Sequence, residues 1–499
     1  MEIRVRKQRA ITLISLVITI IILLILAGVT IATLTGENGI LNQANQAKQN
    51  TKSASEIEQI ALAVTNAQLE DNTYVKLNQK NLQNAIDNQL GENKAIVIEN
   101  EGGTFTVFLK ENKKAYQILS TGIEEDPKWN QAFEQAIAQE VNGKIVYAVD
   151  QEGNNVNMTN WEFCYDQQTQ GYALNDDEVL NNAEYGGTNP SRVRTKGYLG
   201  SYTNDGEVIE QVPMFIKEGE DWQPVTSMYN TFYDCAELKK SPPIPPTVTC
   251  MWSTYQACSH LTETTVGKGA QNLWNCFLEC TSLVNTPVLP STVENLMQTF
   301  YGCTSLTDVS YLPEGIINMN GTFRGCTSLS HVPDIPNTVT IMDNTFYKCS
   351  NFLIAPKIGK SVKKMNGTFY QCTQLEEAPA IPDGVEIMRS TFNGCTNLSK
   401  PPTKIPTSVV NLIGTFQYCT HLEGTIEINA SVTNEVAQTS DYDWIIGSKV
   451  YEDIFKGACR VGQGLTVKTN NAELKMNHAE ILNDIINMKS SDSNLTIIE

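Results

Sequence analysis

Apolar residues recur every 23 positions in the central part of the chain, from about residue 225 to residue 430. The shared pattern is T-F-x-x-C-x-x-L-x-x-x-P-x-I-P-x-x-V-x-x-M, and the stretches CTSLSHVPDIPNTVTIMDNTF and CTQLEEAPAIPDGVEIMRSTF keep it throughout. So constant a period is typical of a solenoid, in which each repeat buries its apolar face by stacking on its neighbours. The recurring Phe, Cys, Leu, Ile, Val and Met positions are therefore predicted to point inward.

Each repeat is predicted to contain two short strands. One runs from the Leu to the first Pro and the other covers the V-x-x-M stretch, while F-x-x-C-x-x-L favours a tight helical turn and the prolines mark corners. Strands about 4.8 Å apart would make the nine coils a rod roughly 40 Å long. The pattern thus predicts a right-handed, mostly β leucine-rich-repeat solenoid.

A cysteine stands at one fixed place in every repeat, at intervals of 23 residues apart from one of 22 and one of 24. Equivalent positions of stacked repeats form a ladder, in which a small apolar side chain packs well. Neighbouring thiols would lie within disulfide range, but a linear ladder does not bring four metal ligands to one point. We therefore predict a packing role for the nine cysteines of this structural ladder: Cys235, Cys258, Cys280, Cys303, Cys326, Cys349, Cys372, Cys395 and Cys419.

The chain begins with a basic segment, MEIRVRKQRA, followed by the uncharged run ITLISLVITIIILLILAGVTIATL over residues 11–34. Twenty-four helical residues measure about 36 Å, which is enough to cross the apolar core of a membrane. Because the positive charges precede the apolar run, residues 1–10 are expected to stay in the cytoplasm. The bulk of the chain is then predicted to be extracellular, at the cell surface, anchored in the cell membrane by a single pass.

After the apolar run the sequence predicts a polar, amphipathic helix whose apolar residues fall at spacings of three and four. These residues are Ile57, Ile60, Ala61 and Val64. The segment NQKNLQNAIDNQL predicts a second helix, and three runs rich in Val, Ile, Phe and Tyr between residues 95 and 122 predict a three-stranded meander. Farther on, DPKWNQAFEQAIAQEV predicts a helix and KIVYAVD a strand, before a polar, Asn- and Gly-rich stretch.

The N-terminal arrangement resembles that of type IV prepilins and pseudopilins, over roughly residues 1–70. The resemblance implies that a prepilin peptidase cuts between Ala10 and Ile11 and methylates the new terminus at Ile11. Two positions depart from the family pattern. Ala10 stands where a Gly is usual, and Ser15 stands where a Glu usually helps to register subunits in a filament. A plain, uncleaved anchor helix is the alternative, which hydropathy alone does not distinguish.

The repeat motif T-F-x-G-C-T-S-L, with P-x-I-P and V-x-x-M, resembles the BspA-like leucine-rich repeats of bacterial surface proteins. The second repeat, CSHLTETTVGKGAQNLW, lacks the prolines, and the ninth loses the pattern after Leu422. The resemblance implies a surface-exposed protein that adheres to an extracellular protein or glycan ligand. The segment YEDIFKGACR echoes a degenerate repeat around Cys459, and the following residues are predicted to cap the solenoid.

Composition narrows the classes of partner and activity. The formal net charge of -19 argues against nucleic acid as a partner, and thirteen cysteines, an odd number, argue against a fully paired disulfide framework. The sequence contains no Gly-rich phosphate loop, no H-E-x-x-H and no G-x-S-x-G. We therefore predict no catalytic, cofactor-binding or metal-binding residues and no enzymatic activity. An unrecognised surface hydrolase is a weaker alternative, and it would lie within residues 126–225.

The predicted fold class is α+β, with a long pilin-like helix, a small α/β head, and a solenoid with a C-terminal cap. The predicted divisions are a leader at 1–10, an apolar helix at 11–34, a head at 35–125, an intermediate α/β region at 126–224, repeats at 225–430 and a cap at 431–499. The predicted function is surface recognition through the solenoid face. The alternative is a minor pilin or pseudopilin of a type IV pilus or secretion-like assembly, which would self-associate through its N-terminal helix and carry the solenoid as its head.

Processing at the N-terminus is testable on the purified protein. Mass spectrometry of the mature chain is expected to find an N-methylated Ile11 at the terminus, because the leader resembles a prepilin peptidase substrate. An intact Met1 would show that this prediction is wrong and would favour the uncleaved anchor.

Overall fold

The computed structural model describes residues 51–70, 73–74, 76–92, 94–100, 102–110, 114–141, 143–158, 161, 163–166, 171–174, 211–430, 453–459, 465–469 and 495–498. The predicted apolar helix at 11–34 lies outside these residues, as do Ala10, Ile11 and Ser15. Within the described ranges no helix is long and apolar enough to cross a membrane. The chain divides into two compact units, of which the first comprises residues up to 157 with 213–224 and the second comprises 158–212 with 225–499.

The first unit begins with two helices and an antiparallel sheet. Its elements are α1 (Thr51–Ala67), the short hairpin β1 (Leu69–Glu70) and β2 (Thr73–Tyr74), α2 (Gln79–Leu90), β3 (Ala95–Glu99), β4 (Phe105–Leu109), β5 (Lys114–Leu119) and β6 (Gly122–Glu125). The sheet order is β3-β4-β5-β6. The predicted helices are present, while the meander has a fourth strand, β6, which was not predicted because its sequence GIEE is short and polar.

Both faces of this sheet are covered within the first unit. On one face, Ile60 of α1 and Ile86 of α2 pack against Val97 and Val107. On the other face, Phe108 contacts an aromatic cluster, with ring centres 5.1 Å from Trp129 and 4.7 Å from Phe215, among other aromatic neighbours. The alternation of side chains along β4 therefore serves two cores at once.

The remainder of the first unit adds a short helix and a second antiparallel sheet. These elements are α3 (Pro127–Glu134), β7 (Gln139–Val141), β8 (Lys144–Val149), β11 (Phe215–Glu218) and residues 221–224 of β12 (Asp221–Ser227). The helix predicted over DPKWNQAFEQAIAQEV ends at Glu134, and its last residues pair with β8 instead. Backbone pairing and burial of Val141 outweigh the modest helix propensity of these residues.

The second unit starts with β9 (Cys164–Asp166) and β10 (Gly171–Ala173), which form an antiparallel pair. Strand β10 also pairs in parallel with residues 225–227 at the end of β12. The repeats follow from Met228, and β13 (Lys404–Ile405), β14 (Gly424–Ile428), β15 (Leu465–Thr469) and β16 (Leu495–Ile498) form a parallel sheet at their C-terminal end. The described chain is thus mostly β with few helices.

The repeats stack through single parallel bridges and not through long strands. The V-x-x-M stretch contributes one bridge residue per repeat, as in Asn295 to Asn318 and Asn318 to Ile341. The stretch after the Leu contributes another, as in Ile354 to Glu377. Both predicted strands are therefore located where the repeats pair, but they are reduced to isolated bridges. We call residues 228–430 with 453–459 the repeat stack.

The F-x-x-C-x-x-L segment is a chain of tight turns and not a helical turn. Along it, backbone N–H groups donate alternately to their own repeat and to the next one. The N–H of Thr322 donates to Met319 within the repeat (3.2 Å), whereas that of Phe323 donates to Thr345 of the next repeat (2.9 Å). Left-handed residues interrupt the helical path twice per repeat, at Gly321 (φ 62°) and Gly325 (φ 76°).

A row of aromatic rings runs through the core of the repeat stack. Successive rings are nearly parallel, with centres 5.4 Å apart between Phe277 and Phe300 and 5.7 Å apart between Phe300 and Phe323. The row continues from Phe416 to Phe455 (5.6 Å) across 39 positions of sequence. The predicted echo of the repeat around Cys459 therefore occupies the place of a further coil.

The left-handed position before the cysteine gives a stability test. Replacing Gly325 with Ala should lower the unfolding free energy by about 1 kcal/mol, because an L side chain is disfavoured at positive φ. An added Cβ would meet only the backbone of Gly302, at 3.8 Å, so a steric clash does not contribute. The converse change at the equivalent Gln371 (φ 54°), to Gly, should raise stability. Urea midpoints followed by Trp fluorescence measure both, and a fall in both variants would contradict the account.

Candidate binding face on the repeats

The nine ladder cysteines are buried and none forms a disulfide. From the second repeat on, each thiol donates to the backbone carbonyl of the preceding repeat's aromatic ladder residue. Cys326 Sγ lies 3.0 Å from the Phe300 oxygen, and Cys349 Sγ lies 3.0 Å from the Phe323 oxygen. The Phe323 carbonyl also accepts the N–H of Cys326 (3.1 Å). A thiol at this place therefore supplies a second, weak hydrogen bond to a buried carbonyl.

Burial raises the pKa of the ladder thiols from Cys258 to Cys419 well above the ordinary value. For Cys326 and Cys372 desolvation is the largest cause, followed by the neighbouring ladder thiols, and for Cys303 and Cys349 desolvation also dominates. A thiol held in the protonated form is a poor nucleophile and a poor metal ligand. Within the described part of the chain, no three His, Cys, Asp or Glu side chains are grouped as a metal site would require. That the ladder serves packing stays a prediction.

The Thr residues that precede the aromatic residue of most repeats form a second buried ladder, which we did not predict from the sequence pattern. The Thr of the T-F pair is fully buried in most repeats, and in four of them its hydroxyl lies within hydrogen-bond distance of two carbonyl oxygens. Thr345 Oγ1 lies 2.8 Å from the oxygen of Met319 in the preceding repeat and 2.8 Å from that of Met342 in its own. The recurrence of Thr before the aromatic residue in eight of the nine repeats was the available signal, since an inward polar residue that recurs needs a recurring partner.

The same hydrogen bond from a Thr hydroxyl to a backbone carbonyl occurs at the N-terminal end of the repeat stack. Thr231 Oγ1 donates to the carbonyl of Leu174 (3.0 Å), as Thr254 Oγ1 donates to that of Met228 (2.8 Å). Leu174 thus takes the place of the repeat methionine, and Cys164 packs beside Tyr229. A segment of the uninterpreted region at 126–224 therefore covers the open end of the first repeat.

The side chains that follow the repeat's Leu form an outward surface, which we call the strand face. It consists of the fourth, fifth and eighth residues after each repeat cysteine. Large apolar side chains are exposed on it in three repeats, those of Cys280, Cys303 and Cys349, whereas the repeat of Cys326 has Ser330, His331 and Asp334 at these places. The exposed apolar side chains are Val284 (46% exposed), Val288 (82%), Tyr311 (52%), Leu353 (46%) and Ile354 (70%). Most of the exposed large apolar side chains in the described residues thus lie on this one surface.

Charged pairs flank these apolar side chains on both sides. Lys240 and Glu263 form an ion pair of 2.9 Å between the first two repeats, and Lys400 forms one of 3.0 Å with Glu377 between the seventh and eighth repeats. The hydrogen bond to Glu377 raises the pKa of Lys400 above its ordinary value. Near the centre, His331 Nε2 lies 3.9 Å from an Asp308 oxygen. The strand face therefore has two groups of exposed apolar side chains, separated by polar residues around His331 and bounded by charged pairs.

Backbone hydrogen bonds hold the strand face in one register. The N–H of Thr307 donates to Val284 (2.9 Å), and that of Leu353 donates to Ser330 (3.0 Å). Side chains at equivalent positions are thereby fixed one repeat apart before any partner binds, which reduces the entropy that binding must overcome.

The four histidines do not form a site in the described chain. His260, His331 and His421 are exposed and belong to different repeats, and His478 lies outside the described residues. The ring nitrogens of His260 and His421 lie 2.7 Å and 2.6 Å from backbone carbonyls of the preceding repeat. They extend the bonding between repeats.

Residues 226–353 and 297–423 match the sequence profile described as BspA type Leucine rich repeat region, in six copies. This chain contains a BspA-type leucine-rich-repeat region. The resemblance of the repeats to that family is confirmed, whereas the prepilin-like N-terminus stays a prediction. No protein with a curated description matches the chain.

Solved structures with similarity to this chain include several leucine-rich-repeat proteins. The T. pallidum leucine-rich-repeat protein is 26% identical, over 30% of this chain and 72% of its own, with a TM-score of 0.28. The pneumococcal vaccine antigen PcpA is 14% identical (53% and 68% covered, TM-score 0.30). A leucine-rich cell surface protein of Faecalibacterium prausnitzii A2-165 is 16% identical (56% and 95% covered, TM-score 0.22). TM-scores this low do not bear on function.

The buried thiols make stability sensitive to alkaline pH. The folded-state pKa values are raised, so this contribution is complete below the unfolded thiol pKa of about 8.5 and is lost as pH rises toward the folded values. We expect the unfolding free energy, from urea titrations under reducing conditions, to fall between pH 8 and pH 10, with a slope that approaches about 1.4 kcal/mol per pH unit for each buried thiol above about pH 8.5.

The variant Cys326→Ala serves as the control for other groups that titrate in this range. It should be less stable by about 1 kcal/mol at pH 7, because it loses a hydrogen bond and leaves a small cavity. It should also lose less stability than the parent between pH 8 and pH 10. Equal losses in both proteins would show that Cys326 is not buried as a thiol.

Proposed function

We propose that this chain is a cell-surface recognition protein whose strand face binds a partner protein. The observation that carries the proposal is the presence of five exposed large apolar side chains, between Val284 and Ile354, on one face of the repeats. Apolar patches of this kind commonly mark protein interfaces in soluble domains.

The distribution of residue types supports a protein partner. Protein interfaces typically have an apolar centre that excludes water and a polar rim that stays hydrated. Ile354 and Tyr311 would supply apolar anchors, and the Lys240–Glu263 pair lies at the rim. Exposed ion pairs contribute little affinity, so we expect the apolar residues to dominate it. The proposal assigns no catalytic step and no cofactor to this surface.

The proposed location rests on the sequence of the N-terminus. The apolar run at 11–34 follows a basic leader, which supports membrane anchoring with the repeats outside the cell. Processing between Ala10 and Ile11 by a prepilin peptidase belongs to the same proposal.

A minor pilin or pseudopilin is the second candidate. What supports it is the first unit, in which α1 and α2 pack together against one face of an antiparallel sheet, an arrangement that suits a small pilin-like α/β head. Ser15 in place of Glu counts against filament assembly. Crosslinking of subunits to one another through residues 11–60 would support this candidate.

The proposed function is tested with the chain from residue 36 onward, titrated against host matrix proteins, mucins and bacterial surface polysaccharides. We expect saturable binding to a protein, lost by about tenfold or more in Ile354→Asp, because a charge cannot be buried in an apolar contact without a large desolvation cost. Val288→Asp is a second variant of the same kind. Because Ile354 and Val288 are both exposed, neither substitution should affect the fold.

The matched control is Ile317→Asp. Ile317 is also exposed (46%) but lies in the V-x-x-M stretch and not on the strand face. Equal loss of binding in Ile317→Asp and Ile354→Asp would contradict the assignment of the strand face, and absence of saturable binding throughout would favour the structural candidate.

A further inference from the structure

A second set of side chains forms a column at the residue that follows the Phe of four consecutive repeats. We call Tyr301, Arg324, Tyr347 and Tyr370 the tyrosine column. All four are partly exposed. The column lies on the turn segment of each repeat and shares no residue with the strand face.

The members of the tyrosine column are stacked on one another. The Arg324 guanidinium carbon lies 5.4 Å from the ring centre of Tyr301 and 4.4 Å from that of Tyr347. The rings of Tyr347 and Tyr370 are parallel, with centres 4.4 Å apart. Lys348 places its Nζ 5.6 Å from the ring centre of Tyr347. Since the ring faces cover each other, the column presents its edges, with hydroxyl and guanidinium groups, to the solvent.

The two cations beside the Tyr347 ring, Arg324 and Lys348, have no anionic counterpart among the described residues. The Arg324 guanidinium contacts the two rings but has no protein acceptor for its N–H groups within that part of the chain. Elsewhere on the stack several lysines are paired, as in Lys357 with Asp334 (3.7 Å) and Lys363 with Glu386 (3.5 Å). Two unpaired cations beside one ring are unexpected in a chain with a net charge of -19.

We propose that the tyrosine column binds an acidic polysaccharide, with a carboxylate or sulfate group held between Arg324 and Lys348. The planar fork of an arginine suits such groups, because two parallel N–H donors can bond both oxygens of one anion. Stacking between two tyrosines fixes the guanidinium in advance, so little of its freedom is lost when the anion binds.

The repetition of the column favours a saccharide over an acidic peptide. Its members recur once per repeat, at 4.4 Å between the last two ring centres, which is close to the length of one sugar residue in a linear polymer. Tyrosine hydroxyls both donate and accept, and they match sugar hydroxyls, which do the same. A side-chain carboxylate of a peptide would use the cations but would make no use of this row of hydroxyls.

The test measures binding of the full-length chain in detergent to polygalacturonate, dextran sulfate, neutral dextran and polyglutamate. We expect saturable binding to polygalacturonate or to dextran sulfate and none to neutral dextran. Comparison of the first two separates recognition of a carboxylate from recognition of a sulfate.

Arg324→Gln should weaken binding of the acidic polysaccharide about tenfold or more, since a charge-assisted bidentate contact is lost. Gln occurs at the equivalent place as Gln256, so this change should preserve the fold, which thermal unfolding checks. Tyr347→Phe, which keeps the stack and removes one hydroxyl, should weaken binding by a smaller factor.

Lys357→Gln is the matched control, because it removes one positive charge from another column of the same stack. Equal weakening by Arg324→Gln and Lys357→Gln would overturn the proposal, as it would indicate general attraction between charges. Binding to polyglutamate as tight as to the polysaccharides would overturn the assignment of a saccharide, and absence of binding to both acidic polysaccharides would overturn the site. Ile354→Asp should leave this binding unchanged, which separates it from the function proposed for the strand face.

Discussion

Hydrogen bonds between successive repeats are the interaction on which the rest of the second unit depends. Each coil is too short to hold its backbone groups in a conventional strand or helix, so it exchanges them with the coils on either side. The N–H of Met319 donates forward to Ile341 (2.9 Å), while that of Ile317 donates backward to Glu294 (2.8 Å). A repeat in isolation would leave these groups unpaired, which makes each coil dependent on its neighbours.

The buried side chains complete this bonding. Thr345 and Cys349 each donate to carbonyls of the preceding repeat that backbone bonds alone would leave with unused capacity. A larger apolar residue at either place would lose that bond and would crowd the aromatic ladder, whose rings are already 5.4 to 5.8 Å apart. Thr and Cys are small enough to fit beside the rings and still carry a donor, which accounts for their recurrence.

The same register that orders the core also orders the surface. Any outward position is repeated at a fixed spacing, so a few substitutions produce a continuous column. On the strand face, Tyr311 and Ile354 are among the exposed apolar side chains. On the turn segment, Arg324 and Tyr347 stack on each other within the tyrosine column. The scaffold holds both sets rigidly, and the variable residues determine what each of them can contact.

The repeat period, the inward positions and the places where coils pair could all be predicted from sequence, because periodic burial requires periodic apolar residues. The sequence did not reveal that the strands shrink to single bridges or that the turn segment alternates its donors, since both depend on carbonyls supplied by a neighbouring coil. Nor did it reveal the stacking of Phe455 on Phe416, or Leu174 in the place of a repeat methionine, because in each the partner lies far away in sequence. Sequence alone thus determined which side chains are buried in the repeats. Only the tertiary structure decided which outward residues meet, because neighbours on the surface of a stack are separated by a full repeat.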